Sequence, residues 1–526
     1  METGARVTPD KALRITLIAH YGIVDLTTMS DSKFRLRQLD SVRRTLVSVT
    51  RPVHVFLQNR DGRGFRAAVT VRDSMLHAPA GMQSLAALGQ AVGVPKLDLP
   101  EGRSKTAMGD FFKEDLEGFL RYAARDTHVP ILWLAAIYGD GGSAVPVTLG
   151  AGAMQQYIDA TGLGSAYREV MCGLVKHNVS AGERRKTVWT VRDEVAPAWH
   201  AAAAAYYGGR NECLTFGVYN QAVTTDYDIV GAYPTAMCLI PDFDFEAEPS
   251  AIVGPLSTAS VPSPLTPLFG RVDFDFPPDC KIPCLPVSDP EGRGLIFPLS
   301  GRGVPASGPE VWLALKLGAR VTALAGSVIH PYKQDADGGY KYTMARGIKG
   351  LVQRRAEMRR LYGRGSPQEL AAKESVNSVY GKLAQGLAGK RVYSTRSDET
   401  SAVPPSTITQ PMQAAMTTAL VRALVSAAMY QLEAKGIAVH TVTTDGCVSD
   451  ATFEDLLGCD CYGLVRLFAK AGEFLRDDGT VWEIKHRQEV LCNMKTRGNV
   501  GVSEDPEAKG VLARAGVATR MSNAEG

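Results

Sequence analysis

The chain has 526 residues, 45% of them hydrophobic and 21% charged, and a formal net charge of only +3. These values exclude a peptide and a disordered tail, the charge is too small to argue nucleic-acid binding by itself, and the length predicts two or three domains with real cores. Nine cysteines are scattered without zinc-site spacing, the close pairs being Cys280 with Cys284 and Cys459 with Cys461. The opening "METGARVTPDK" has no apolar leader core, so reduced thiols and a cytoplasmic location are expected. No apolar run approaches the roughly 18 residues of a membrane helix, and no membrane partner is expected.

Along residues 14–150, strand-like runs ("RITLIAHY", "HVFLQN", "FRAAVTVRD") alternate with helical patterns ("SLAALGQAVG", "FFKEDLEGFLRYAARDTHV"), which predicts an α/β domain. A second unit is expected from about 195. There "WHAAAAAYYGGRNEC" reads as a helix closed by Gly208 and Gly209 in the left-handed conformation. Residues 250–310, rich in Pro and Gly with short runs such as "RVDFDF", predict an irregular β excursion inside that unit. Residues 346–385 predict a helical hairpin broken at "YGRGSPQE", with Ser366-Pro367 opening the second arm. A further helix, "QPMQAAMTTALVRALVSAAMYQLEAKG", leads into a strand, a tight turn and a strand, "TVTTDGCVSD".

Three stretches carry chemistry. In "TTDYDIVGAYPTAM", Asp228 ends a strand and Tyr233-Pro234 follows five residues later. That is a platform for one metal-binding oxygen beside an aromatic floor, or a plain strand-turn with a solvated acid. In "KESVNSVYG", Lys373, Asn377 and Tyr380 share one helix face, which suits a nucleoside triphosphate or an ordinary polar surface. Before it, Arg346, Lys349, Arg354, Arg355, Arg359, Arg360 and Arg364 stand against one acid, Glu357, dense enough to face phosphates or simply to be solvated.

Taken in order, "DIVGAYP", "KESVNSVYG" and "TTDG" resemble motifs A, B and C of family B DNA polymerases. "YYGG" (Tyr206, Gly208, Gly209) resembles the YxGG element that contacts template in protein-primed members, and "KTRG" their KxY primer-holding motif, with Lys495 in place and Arg497 at the tyrosine position. "AHYGIVDL", with Asp25, and "YAARD", with Tyr122 and Asp126, resemble the second and third exonuclease motifs. The first, an Asp-x-Glu, is missing from the 24 residues ahead of Asp25.

The resemblance implies an incomplete ribonuclease-H-like exonuclease domain (1–195), a palm with a β-rich insertion (196–345), helical fingers (346–385), and a second palm part with a short thumb remnant (386–526). It implies that Asp228 and Asp445 hold two Mg²⁺ ions, with Mn²⁺ the less demanding substitute, since Thr443 stands where the family carries motif C's first acid. It assigns Lys373, Tyr233, Asn377, Tyr380, Arg355 and Arg359 to the nucleotide, and Tyr206, Gly208, Gly209, Gly381, Lys495 and Arg497 to DNA. The implied activity is template-directed DNA synthesis from dNTPs on primer-template, with little or no proofreading, in a bacterial or phage-infected cell. The alternative is a degenerate or split polymerase that binds DNA with little catalysis. Open partners are a terminal protein, or a separate chain supplying the exonuclease strand or thumb. Asp450 is expected to be a solvated surface residue.

Overall fold

The computed structural model describes residues 13–22, 24, 40–43, 46–48, 52–58, 62, 64–139, 145–181, 184–292, 294–387, 389, 391–394, 399–502 and 511–514. The chain forms two compact units. The first comprises 1–156, 351–379 and 388–404, the second 157–350, 380–387 and 405–526. The first unit's leading segment ends at 156, and most of the helical hairpin, 351–379, belongs to that unit.

In the first unit, β1 (Leu13–Ala19), β2 (Val53–Gln58) and β3 (Gly64–Asp73) form a sheet of order β1-β3-β2, with β1 parallel and β2 antiparallel to β3. Helix α1 (Leu85–Ala91) and the long α2 (Leu116–Tyr138) follow. The single helical pattern read over 111–129 is in fact interrupted: Asp115 leaves helical geometry and its carboxylate accepts from Gly118 N–H at 2.8 Å, capping α2. Val129, Trp133, Leu134 and Ile137 of α2 pack with Leu88 of α1 in the core.

The second unit opens with α3 (Tyr167–Cys172), a hairpin of β4 (Leu174–Ala181) and β5 (Arg184–Val191), and α4 (Ala196–Ala204). Then come β6 (Arg210–Cys213), β7 (Gly217–Tyr219), β8 (Thr224–Ile229) and α5 (Ala232–Leu239). The expected β excursion is present, a six-stranded sheet around β9 (Leu268–Asp275), with α6 (Gly308–Lys316) preceding its last two strands, Arg320–Ala323 and Val328–Ile329. The helical pair is α7 (Thr343–Tyr362) and α8 (Pro367–Leu383).

After them, α9 (Pro411–Ala434) runs into β10 (Val439–Thr444), β11 (Gly446–Ser449), β12 (Trp482–Gln488), β13 (Val490–Lys495) and β14 (Gly498–Val502). The central sheet has order β12-β8-β11-β10-β6.

Helix α9 corrects the expectation that no run could span a bilayer. Its 24 residues reach a mean hydropathy of 1.2 over 18 residues, enough by length and composition, and that whole window is buried inside the protein. Its small residues let neighbours approach, and the hydroxyls of Thr417 and Thr418 donate to carbonyls of the preceding turn, at 2.7 and 3.2 Å for Gln413 and Ala414.

Candidate active site

The site grows from the central sheet of the second unit. Strand β8 alternates buried Thr225, Tyr227 and Ile229 with partly exposed Asp226 and Asp228, so both carboxylates leave the same face. Asp228 pairs with Gly446 on β11, and Asp445, at the tip of the β10-β11 hairpin, accepts Ile229 N–H on its carbonyl at 3.0 Å. A Cβ on Gly446 would lie 2.3 Å from the Tyr227 carbonyl and 3.0 Å from Asp228 Oδ1, so only glycine lets the hairpin approach the acid this closely. The turn is strained at Thr444, whose φ of 65° is unusual for a β-branched residue.

Charge is concentrated here. Burial, then repulsion from Asp228, pushes the carboxyls of Asp226 and Asp445 up to about 7. Burial also raises Asp228, against the pull of Lys485, whose ammonium is 3.4 Å from Asp228 Oδ2 and is bonded to Glu483 as well. Among the described residues no group of three or more His, Cys or acidic side chains is arranged to hold a metal ion. The pair Asp228 and Asp445 nonetheless suits a hard, oxygen-seeking dication. Two partly buried carboxylates repel each other beside a single ammonium, and a cation would relieve that imbalance.

Beside the acids stands a stack of tyrosines. Tyr233 on α5 lies flat on Tyr380 of α8, with ring centroids 4.2 Å apart and planes 11° apart, and Tyr380 shares a 3.0 Å hydroxyl contact with Tyr206. The three motif tyrosines are thus in one cluster. The Tyr206 loop is held from below by Arg422, wholly buried in α9. Its guanidinium makes a bidentate pair with Glu310 of α6, at 2.6 and 3.1 Å, and donates to the Tyr207 carbonyl at 2.8 Å and to the Gly208 carbonyl.

The glycines of that loop work differently from the expectation. Helix α4 ends at Ala204, and neither Gly208 nor Gly209 is left-handed. Gly209 is required by close approach, since a Cβ would meet the Thr444 side chain at 2.6 Å and its Cα at 2.8 Å; Gly208 has open space around it. Arg497, itself at φ 53°, donates to Asn211 Oδ1 at 3.3 Å and Thr444 Oγ1 at 3.4 Å, tying the "KTRG" turn to the hairpin, while Lys495 is exposed.

Lys373 and Asn377 are exposed on the part of α8 that clusters with the first unit, Tyr380 and Gly381 on the part that clusters with the second. Arg359 is exposed, but Arg355 donates to the buried Glu369 at 2.8 Å, so it joins the two arms of the hairpin rather than standing free for phosphate. In the first unit, Tyr122 and Asp126 both bind Lys96, the hydroxyl at 3.0 Å. Asp25 lies outside the described residues. Asp450 is exposed, as expected of a surface residue, and its carboxylate also accepts from His440 Nε2 at 2.8 Å, while the other ring nitrogen meets Thr215 Oγ1 at 2.8 Å.

Asp226, Lys485, Arg422 and Glu310 escaped the sequence reading. Asp226 had a visible signal, the two-residue spacing to Asp228 on a strand. Arg422 had a fainter one, the lone cation in a helix of mostly small, apolar and hydroxyl side chains.

No family model matches the chain. The primer-independent DNA polymerase PolB of Escherichia coli is 31% identical over 462 residues, which cover 85% of this chain and 51% of that protein. The chain thus spans about half the length of that curated relative. Among solved structures, phi29 DNA polymerase in its ternary complex with primer-template DNA and incoming nucleotide substrates superposes with a TM-score of 0.61 at 13% identity, covering 96% of this chain and 84% of that one. The post-translocation binary complex with primer-template DNA gives 0.55 at 12% identity, with the same coverage of both chains. These likenesses establish the fold.

Proposed function

We propose that this chain, by sequence and fold a family B DNA polymerase of the phage type, performs template-directed DNA synthesis, transferring nucleotides from dNTPs to a 3′-hydroxyl. The observation that carries this reading is the meeting of Asp228 and Asp445 across Gly446, beside the stacked Tyr233 and Tyr380. Three separate stretches, in the family's order, supply these residues.

Asp228 and Asp445 would hold two Mg²⁺ ions, whose chemistry when bound is to activate the attacking hydroxyl and neutralise the departing pyrophosphate. Tyr233, held flat by Tyr380, would lie under the sugar and exclude a 2′-hydroxyl. Lys373 and Arg359 would take the triphosphate, and Asn377 and Gly381 would support the nascent pair. The Tyr206 loop, fixed by Arg422, would face template, and Lys495 and Arg497 the growing end.

In this reading the second unit holds the palm and the helical pair is the fingers. The first unit is exonuclease-like with proofreading absent or impaired, a reading supported by the commitment of Asp126 to Lys96. Extension of a labelled primer on a template is expected from the wild type with Mg²⁺ and not from Asp228→Ala; full activity in that variant would overturn the assignment. The name of PolB supports a second reading of how synthesis begins, without a primer. The same gel run on template alone decides it.

A further inference from the structure

Strand β12 runs antiparallel to β8, and the ladder between them slips once. Ile229, Asp228 and Tyr227 stand opposite Trp482, Glu483 and Ile484, yet Asp226 stands opposite His486, so Lys485 has no partner in the register. A regular ladder would set Lys485 against Asp226. The extra residue makes a β-bulge, a device that re-aims a side chain and is common beside active sites. Here the re-aimed ammonium stands 3.4 Å from Asp228 Oδ2 and donates to Glu483 Oε1.

The same register puts the carboxylates of Asp228 and Glu483 directly across from each other, an arrangement that destabilises a sheet unless a cation intervenes. Lys485 intervenes, and its charge is felt at Asp226 and Asp445 as well. One ammonium thus answers to four acids. Its side chain is 37% exposed, which leaves it room to move, unlike the wholly buried guanidinium of Arg422. Its two contacts are also unequal in kind. Asp228 is wanted by a metal ion, whereas Glu483 has no part in holding one. A dication arriving between Asp228 and Asp445 meets Lys485 as a like charge and drives it off Asp228, and the bond to Glu483 is already in place to keep it.

We propose that Lys485 is a resident counter-cation of the acid pair, which stands by Asp228 until a divalent ion arrives and then rests on Glu483, and so sets how tightly the site takes metal. It is a positioning residue, and the inference rests on the reading of Asp228 and Asp445 as metal ligands. Without metal the ammonium limits the repulsion among the acids and keeps Asp228 in place. With metal it is a competitor, so its removal strengthens metal binding rather than weakening it.

The test is the affinity of the full chain for Mn²⁺, read from the electron paramagnetic resonance signal of the free ion with no nucleotide or DNA present. The wild type is expected to hold Mn²⁺ at a site that Asp445→Asn removes. Lys485→Met should tighten that site about tenfold, while Lys485→Arg, which keeps the charge, should stay within about twofold of the wild type. Glu483→Gln, which leaves the ammonium only Asp228, should weaken the site about fivefold, and in the Lys485→Met background the same change should weaken it less, because the two residues act together. Unchanged Mn²⁺ affinity in Lys485→Met overturns the proposal, even where that variant unfolds more readily, and leaves Lys485 as an ion pair that serves the fold alone. An equal loss from Glu483→Gln in both backgrounds overturns the resting place on Glu483. If the wild type has no Mn²⁺ site that depends on Asp445, the metal reading itself fails and takes this proposal with it, a result distinct from a site that is present and indifferent to Lys485.

Discussion

Asp445 and Asp126 are both partly buried acids that the family resemblance marks for metal, one in each unit, and their surroundings are opposite. Asp126 is met by the Lys96 ammonium, which also bonds the Tyr122 hydroxyl and sits 4.5 Å from that ring's centroid. Asp445 faces Asp228 and, beyond it, Asp226, with Lys485 the one cation that lowers it. Neutralised acids hold a fold together; acids left in mutual repulsion are strained until something else arrives. In the proposed reading, the contrast separates a site that would receive positive charge from one that already has it.

The widest separation is expected in turnover. If the proposed two-metal transfer holds, Asp445→Asn or Asp228→Asn should lower single-turnover nucleotide incorporation by at least about a thousandfold, because the reaction would lose a ligand worth several kcal/mol of charge stabilisation. Asp126→Asn should leave incorporation within about twofold. A comparable loss from Asp126→Asn would break the contrast.

Next in size is the scaffold under the Tyr206 loop. Arg422→Met should cost about 3–5 kcal/mol in denaturant unfolding, because it strands the buried Glu310 carboxylate. Adding Glu310→Leu should recover most of that stability. It should not restore DNA affinity, since the Tyr207 and Gly208 carbonyls still lack their donor. Stability and KM for primer-template therefore part company in the double variant, and recovery of both together would show that Arg422 serves the core alone.

A smaller effect lies in pH. With Asp226 and Asp445 at about 7 in the folded protein and near 4 when unfolded, the native state binds more protons between pH 4 and 7. Stability then falls as pH rises through that window, by up to about 1.4 kcal/mol per pH unit for each group, and levels off above it. Asp445→Asn should flatten the fall, and saturating Mg²⁺ should do the same in the wild type by stabilising the ionised pair. A metal-independent slope, measured by urea unfolding across pH, would remove Asp445 from the cation site.

How much of this could be read beforehand depended on range. Asp228, Tyr233, Tyr380 and Asp445 were legible because each sits in a short stretch with several fixed neighbours, and the order of the stretches did the rest. Strand alternation and helix periodicity likewise foretold β1 to β3, the β excursion and the α7-α8 pair. Arg422 and Glu310 take their meaning from each other across 112 positions, and no local pattern marks such a pair. Gly209 was misread because local propensity suggests a helix cap, whereas its actual constraint is Thr444, far along the chain. Arg355 was assigned to the nucleotide from its helix alone; the turn between α7 and α8 brings Glu369 of the second arm to 2.8 Å from it. Hydropathy rightly singles out the buried core but cannot tell a core helix from a membrane helix, as α9 illustrates.

The smallest expected effect bears most directly on the contrast between the two acids. Lys96→Met keeps the aliphatic stem and removes the ammonium that Asp126 and Tyr122 share. With Lys96 and Asp126 both partly exposed, the loss of their ion pair should be about 1 kcal/mol, and nucleotide incorporation should be untouched. The informative readout is a second one, Mg²⁺-dependent degradation of a labelled 3′ end. If Lys96 merely completes a structural ion pair, no degradation appears when it is removed, because one freed carboxylate cannot hold the metals that such hydrolysis needs. Should the variant gain metal-dependent 3′-5′ degradation, Lys96 would be a plug in a working exonuclease centre, and the first unit would have to be redrawn as a site held shut rather than one that has lost its purpose.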